Sequence, residues 1–339
     1  MITEYLDGLV KNRLVPGGVL LVLQNEKEIF HEAFGEYDNN VSKVPFRKDT
    51  IFDIASLTKV VATLPATLRL ITLNQLSLED RVRKFFPEFK YDHIKIEHLL
   101  RHNSGLPADL SFCPRDEERD VIKEVFTVDL QYETGAKSVY SDIGMIILGK
   151  IIEKVSEKRL DDFVREEIFR PYDMIDTDYG VNNNELHRTA STELFKGKYV
   201  HGEVHDEKAF QLNGVSGSAG VFSTAKDIGK YAQYCLYPEK QSVIDPELFK
   251  KSHQSVINQR GLSFQVWDGK EPALSCGSEW PIGSYGHTGF TGTSLWIDPM
   301  NEIIVVFLTN VVQFGRDHQL MKIRKQLHTM IHHQLVGIS

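Results

Sequence analysis

Two hydrophobic rhythms divide the chain. Near its start, residues 19–23 and 29–34 are short apolar segments on either side of the polar turn Gln24-Asn25-Glu26-Lys27, which predicts a paired hairpin. Strand patterns return only late, at 261–267, 294–298 and 303–309. Between them, apolar residues three and four apart predict helices over 94–102, 120–126, 143–157, 160–169 and 228–236. A short helix over 1–13 is closed by Val15-Pro16-Gly17-Gly18, and a helix from about residue 56 to residue 74 is apolar nearly all round at positions 60–73. The second of these is expected to be a buried central helix, kinked or short of a hydrogen bond at Pro65. The chain closes with a helix carrying Leu320, Ile323, Leu327, Met330 or Ile331, and Leu335 on one face, expected to pack on a sheet. Strands at both ends with helices between them imply an α/β (α+β) fold in which distant segments complete one sheet and a helical domain is inserted.

A chain of 339 residues with 41% hydrophobic residues can bury a large core. Its net charge of −8 comes from signs scattered along the chain, which argues against a nucleic-acid or anionic-membrane partner. The basic stretch 322–325 is expected on the solvated side of its helix. Three distant cysteines with no CxxC pair suggest a reducing compartment and offer no metal spacing. The start, Met1-Ile2-Thr3-Glu4-Tyr5-Leu6-Asp7, is acidic where a signal peptide needs basic and then apolar residues. The apolar run 303–308 is too short to span a bilayer. A cytoplasmic location, with no membrane partner, is the expectation.

Three short motifs carry the chemistry. In Ser56-Leu57-Thr58-Lys59 the serine and lysine stand three apart at a helix start, so an ammonium can reach the hydroxyl, and the helix N-terminus aims the Ser56 N–H at a developing oxyanion. Tyr140-Ser141-Asp142 precedes a helix and can aim a phenol and a carboxylate into a cleft. His287-Thr288-Gly289, followed by Phe290, introduces a strand whose edge N–H completes an oxyanion hole. Each motif alone is weak, and about one Ser-x-x-Lys is expected by chance in a chain this long. A second copy, Ser223-Thr224-Ala225-Lys226, reads instead as a helix start capped by Thr224 with Asp227. The ordered set is the full equipment for acyl transfer through a serine ester.

With these motifs in order the chain resembles the serine β-lactamase and penicillin-binding-protein superfamily, in its class C-like branch with small esterases and D-aminopeptidases. Leu99-Leu100-Arg101-His102-Asn103-Ser104-Gly105-Leu106-Pro107 is similar to that family's "LLTHTSGLP" turn, residues 168–174 to its "IFxPLGM" segment, and residues 217–227 to its "GxAGLFSTAxDL". Val204-His205-Asp206-Glu207 resembles a stretch in relatives linked to cell-wall fragment recycling. The resemblance implies an antiparallel sheet flanked by helices, with a mixed α/β domain from 1–60 and 215–339 and a helical domain from 61–214, the active site lying between them. It implies an acyl-enzyme at Ser56, proton transfer shared by Lys59 and Tyr140, and substrate binding by Asp142, His287, Thr288, Gly289 and Phe290, with no cofactor or metal.

Two departures matter. Asp142 stands where the family has asparagine, which removes an amide donor and holds Lys59 more firmly protonated. His287 replaces the family's lysine with a group that titrates near neutrality, so a carboxylate-bearing β-lactam binds less firmly. Small esters or D-amino-acid-containing peptides, cell-wall fragments among them, are the expected substrates, with weak β-lactamase activity at most and a rise in activity near neutrality as Lys59 or His287 loses its proton. The alternative is a non-catalytic penicillin-binding or ligand-sensing protein. A metal hydrolase built on His201-Gly202-Glu203-Val204-His205-Asp206 is disfavoured, because the pattern is not His-Glu-x-x-His and Gly202 opposes a helix. His98 and His102 are expected to be structural, and His332-His333 solvated.

Overall fold

The computed structural model describes residues 1–254 and 256–337; residues 338 and 339, the end of the expected mixed α/β part, lie outside them. Strands β1 (Gly17–Gln24) and β2 (Lys27–Asp38) form the expected hairpin. Asn25 and Glu26 turn it with φ of 49° and 64°, a two-residue turn whose hand matches the strand twist. With β3 (Lys43–Pro45), β4 (Gln265–Val266), β5 (Tyr285–Thr288), β6 (Ser294–Asp298) and β7 (Ile303–Thr309) they make an antiparallel sheet in the order β3-β2-β1-β7-β6-β5-β4. The first strand therefore pairs with the last, Gly18 opposite Thr309.

Both faces of the sheet centre are covered, which is why its strands read as continuous apolar runs. β1 sends Val19, Leu21 and Leu23 to one face and Leu20 and Val22 to the other; β7 splits Ile304, Val306 and Leu308 from Ile303, Val305 and Phe307. Five helices position the site: α1 (Ile2–Lys11), α2 (Leu64–Thr72), α3 (Asp142–Ser156), α4 (Ala225–Leu236) and α5 (Leu320–Val336). α1 and α5 cover one face, with Leu320, Ile323, Leu327 and Ile331 buried as expected. α4 covers the other and leads into the large helical core around α2 and α3.

The central helix is irregular where the chemistry lies. Ala55–Leu57 is a tight turn, and Lys59–Thr63 is one wide turn in which the Leu64 N–H donates to the Lys59 carbonyl five residues back. The regular α2 begins only there, so the expected disturbance at Pro65 takes the form of a widened turn just ahead of it. The strand expected over 261–267 shrinks to β4. Leu262 N donates to Ser252 O and Ser263 N to Leu100 O, so that backbone is satisfied by helical neighbours and not by a strand. Thr224 caps α4 as expected, accepting from Asp227 N at 3.2 Å.

A small second sheet, Phe52–Asp53 with Val221–Ser223 and then Asp178–Tyr179, ties the approach to Ser56 to the 217–227 segment. That segment crosses α3 with Gly217 against Gly149, and Thr63 Oγ1 donates to Gly217 O at 2.7 Å. A Cβ on Gly217 would lie 2.0 Å from Met145 O, which is backbone and cannot swing away. Gly217→Ala should therefore cost ~1–3 kcal/mol or more, seen as a clear drop in Tm. An unchanged Tm would mean that the crossing is not held so close.

Candidate active site

Ser56 sits at the base of a cleft of about 610 Å³. The turn that presents it is strained: Ala55 adopts a φ of 47°, unusual for a residue with a Cβ. Buried Asp53 holds it there. Its Oδ1 accepts from Ala55 N at 2.8 Å, and its Oδ2 accepts from His205 N at 2.6 Å, tying the turn to the 204–207 stretch.

Lys59 is completely buried beneath the serine. Its Nζ donates to Ser56 Oγ at 2.8 Å and to Ser218 O at 2.7 Å, and lies 2.9 Å from Asp142 Oδ1. Three neighbours match the three protons of an ammonium, although the Asp142 contact is an ion pair without hydrogen-bond alignment. Burial alone would weaken its hold on the proton; Asp142 and Tyr140 outweigh that, and the lysine is pushed above its ordinary range. Burial likewise pushes Asp142 up, but Lys59 and Lys208 draw it below the usual carboxylate range. The resting pair is charged.

Tyr140 is set by the Leu99-to-Pro107 turn. Val139 N donates to His102 O, Ser141 N to His102 Nδ1 at 3.1 Å, Ser141 Oγ to Pro107 O at 2.6 Å and Asp142 N to Ala108 O at 2.9 Å. The phenol ring lies between the rings of His102 and His287, at 5.0 and 5.7 Å, with Lys59 Nζ 4.9 Å and Arg260 Cζ 5.3 Å from its centre. Burial raises the phenol and Lys59 draws it back, with a net rise. His102 takes the structural role expected of it, accepting from Ser141 N and packing its ring against Tyr140. His287 Nδ1 lies 2.8 Å from Thr288 O and so carries the proton, leaving Nε2 an acceptor with no partner among the described residues.

The expected titration near neutrality is overturned. Burial, Arg260 and Lys59 hold His287 far below its ordinary value, so it is a neutral imidazole at pH 7, while Lys59 is shifted the opposite way.

The strand edge comes to Ser56 through Gly289. A Cβ there would lie 2.1 Å from Thr293 Oγ1 and 2.4 Å from Ile54 O, so only glycine admits the approach. Thr291 Oγ1 donates to Asp53 O at 2.8 Å and Thr293 Oγ1 to Ile54 O at 3.0 Å, stitching the loop that bears Phe290 to the nucleophile turn. Behind the loop, Arg324 Nη2 donates to Gly289 O at 2.9 Å and Thr293 O at 2.7 Å. Arg324 is buried, which pushes it down to about 9, and so the stretch 322–325 is not wholly the solvated side expected of it.

The sequence reading also missed Lys208. Asp206 caps the short helix Glu207–Gln211 and aims Lys208 inward, where Nζ lies 3.0 Å from Asp109 Oδ1, 3.0 Å from Asp206 Oδ2 and 3.4 Å from Asp142 Oδ2. The signal was present: a carboxylate in place of an amide beside the nucleophile calls for a further cation. The histidines of the weighed metal pattern have separate partners, His201 at Thr189 O and His205 at Glu193, and no group of three His, Cys, Asp or Glu among the described residues is placed to hold a metal ion. His332 is buried beside Asp298 and Trp280 instead of solvated; His333 lies beside Glu279 on the surface.

The cleft thus brings all eight anticipated residues together, Lys59 from below and the others along its lining. This arrangement can deliver a hydroxyl, move its proton and hold an oxyanion. The family model described as Beta-lactamase matches residues 2–329. An N-acetylmuramyl-L-alanine amidase of Bacillus subtilis (strain 168) is 32% identical, over 87% of this chain and 77% of that protein. A protein named as a D-alanyl-D-alanine carboxypeptidase of Escherichia coli (strain K12) is 30% identical, over 87% and 78%. The solved structure of EstCE1, a hydrolase with promiscuous acyltransferase activity, superposes with a TM-score of 0.78 at 20% identity, over 96% of this chain and 97% of that one. The chain belongs to the beta-lactamase family. It is a serine hydrolase of that fold, and no helix among its described residues is long and apolar enough to cross a membrane.

Arg324→Met would take the guanidinium donor from the Gly289 and Thr293 carbonyls, which would keep only Gly292 N and Gly289 N, a loss of ~1–3 kcal/mol, and would free the loop bearing Phe290. A lower Tm together with a more than tenfold fall in ester hydrolysis is expected; wild-type activity in this variant would show that the loop holds its place without the clamp.

Proposed function

We propose that the protein is an acyl-enzyme hydrolase whose nucleophile is Ser56 and whose substrates are small esters or amides of cell-wall-fragment type. The observation that carries this is the 2.8 Å contact from Lys59 Nζ to Ser56 Oγ, made by an ammonium backed by Asp142. Ser56 Oγ attacks the substrate carbonyl and its proton passes to Lys59 or Tyr140, whichever has been freed of its own. The backbone N–H groups of Ser56 and Phe290 hold the oxyanion. The same proton then goes to the leaving amine or alcohol as the carbonyl re-forms, and water releases the acyl group by the reverse path. We take the chain as a mixed α/β part, 1–60 and 215–339, and a helical part, 61–214, with the cleft between them. The relatives named as a muramyl amidase and a D-alanyl carboxypeptidase support the substrate class.

Intact mass after brief exposure to p-nitrophenyl acetate, and separately to benzylpenicillin, tests the chemistry. A transient acetyl adduct absent from Ser56→Ala, with product exceeding one equivalent, is expected. A lasting penicilloyl adduct without turnover would instead make the protein a ligand-binding member of the family.

The pH profile follows from the charged resting pair. Asp142 raises the proton affinity of Lys59, and burial raises that of Tyr140, so a free base appears only in the alkaline range and activity should climb there. Asp142→Asn removes the largest influence holding the proton on Lys59, so the rising limb should move to lower pH. A limb that stays in place would remove Lys59 from the proton path.

A further inference from the structure

One carboxylate stands between two buried ammonium ions. Asp142 turns Oδ1 toward Lys59 Nζ at 2.9 Å and Oδ2 toward Lys208 Nζ at 3.4 Å, and the two lysine side chains are 0% and 9% exposed. Three segments build this arrangement. Asp142 N donates to Ala108 O at 2.9 Å, which brings Asp109 alongside, and Asp109 Oδ1 lies 3.0 Å from Lys208 Nζ. Asp206 caps the helix Glu207–Gln211 with Oδ1 and meets Lys208 with Oδ2 at 3.0 Å. Gln211 Nε2 ties that helix to the neighbouring loop by donating to Glu117 O at 2.7 Å. Lys59 and Lys208 thus share three carboxylates, Asp142, Asp109 and Asp206. The other charges of the cleft are turned elsewhere: Arg316 pairs with Glu193 and Glu207, Arg119 with Glu124, and Arg260 lies over Tyr140. Lys59 also faces the Tyr140 ring, which lies between the neutral imidazoles of His102 and His287.

Lys59 can act as a base only after losing its proton, and the buried Asp142 carboxylate then loses that partner. A buried carboxylate left unpaired is costly, so the lysine would keep its proton if no other cation were near. Lys208 is the cation that remains. Burial works against its own proton, but Asp206, Asp142 and Asp109 outweigh that, and Lys208 stays charged through the alkaline range.

We propose that Lys208 is a positioning residue for the proton transfer: it holds the Asp142 carboxylate while Lys59 is neutral, and so lets Lys59 serve as the base toward Ser56. The inference rests on the acyl-enzyme mechanism above. Lys208 neither gives nor takes a proton. The Ser56 proton moves to Lys59, and Asp142 is paired on one side before that transfer and on both sides after it. Without the Lys208 charge, Lys59 stands alone against three carboxylates, which raises the proton affinity of the Lys59 and Asp142 pair. Without the Asp109 charge, Lys208 acts more fully on Asp142, which lowers it.

The pH profile of p-nitrophenyl acetate hydrolysis, less the rate of Ser56→Ala at each pH, reads this directly. In Lys208→Met the rising limb should move to higher pH by about 1–3 pH units. Lys208→Arg keeps the charge and should keep the limb near its wild-type position. Asp109→Asn should move the limb to lower pH, so that hydrolysis on the rising limb is faster than in the wild type, which damage to structure does not produce. Tm is recorded for each variant, and if Lys208→Met does not fold, the direction of the Asp109→Asn shift decides. A limb that stays in place in Lys208→Met, or one that stays or moves to higher pH in Asp109→Asn, overturns the inference. Failure of the mechanism shows separately, because Asp142→Asn then leaves the limb unmoved as well.

Discussion

A lysine ammonium taken wholly out of water must find acceptors for its protons, and Lys59 finds its neighbours in three places: Ser56 on its own turn, Asp142 at the start of α3, and the Ser218 carbonyl on the segment crossing α3. Much of the local architecture serves that requirement. The widened turn before Pro65 carries the lysine. The Gly217 and Gly149 contact brings the Ser218 carbonyl close enough. The turn around His102 delivers Asp142 and Tyr140 together. A catalytic geometry that needs three distant segments in register is at the same time the condition for burying the charge.

Electrostatic balance around this point is uneven. Asp142 answers to two lysines, and Lys208 answers to two further aspartates, so the substitution of carboxylate for amide spreads into a network reaching Asp109 and Asp206. On the opposite side the imidazoles of His102 and His287 are both kept neutral by burial and by nearby cations. The Tyr140 ring stands between the two regimes, with Lys59 and Arg260 both close to it.

What could be read in the sequence follows what periodicity measures. The strands at 294–298 and 303–309 were legible to the residue because each alternates between two buried faces and so reads as an unbroken apolar run. The eight residues named from the ordered motifs meet at one cleft because each motif lies at or near the end of an element. Arg324 was not legible: its helix position says charged and exposed, whereas its role is set by carbonyls on a loop 31 to 35 residues earlier. The shortfall at 261–267 has the same origin, since backbone partners at Leu100 and Ser252 leave no local trace. The protonation of Lys59 was anticipated from Asp142, but neutrality of His287 comes first from its burial and then from Arg260 and Lys59, and neither that burial nor Arg260 is written in a motif.

β1 has its neighbours at opposite ends of the chain, β2 immediately after it and β7 at Ile303–Thr309. A nascent chain emerging from the ribosome holds this hairpin with one apolar edge open while nearly the whole protein is made, and the sheet can close only when the last strands arrive. Contacts of such sequence separation make folding slow and leave an aggregation-prone edge exposed meanwhile. Loss of even the final fifty residues removes the partner of the first strand and much of the cover over both, so truncation at the far end dismantles the fold from its centre.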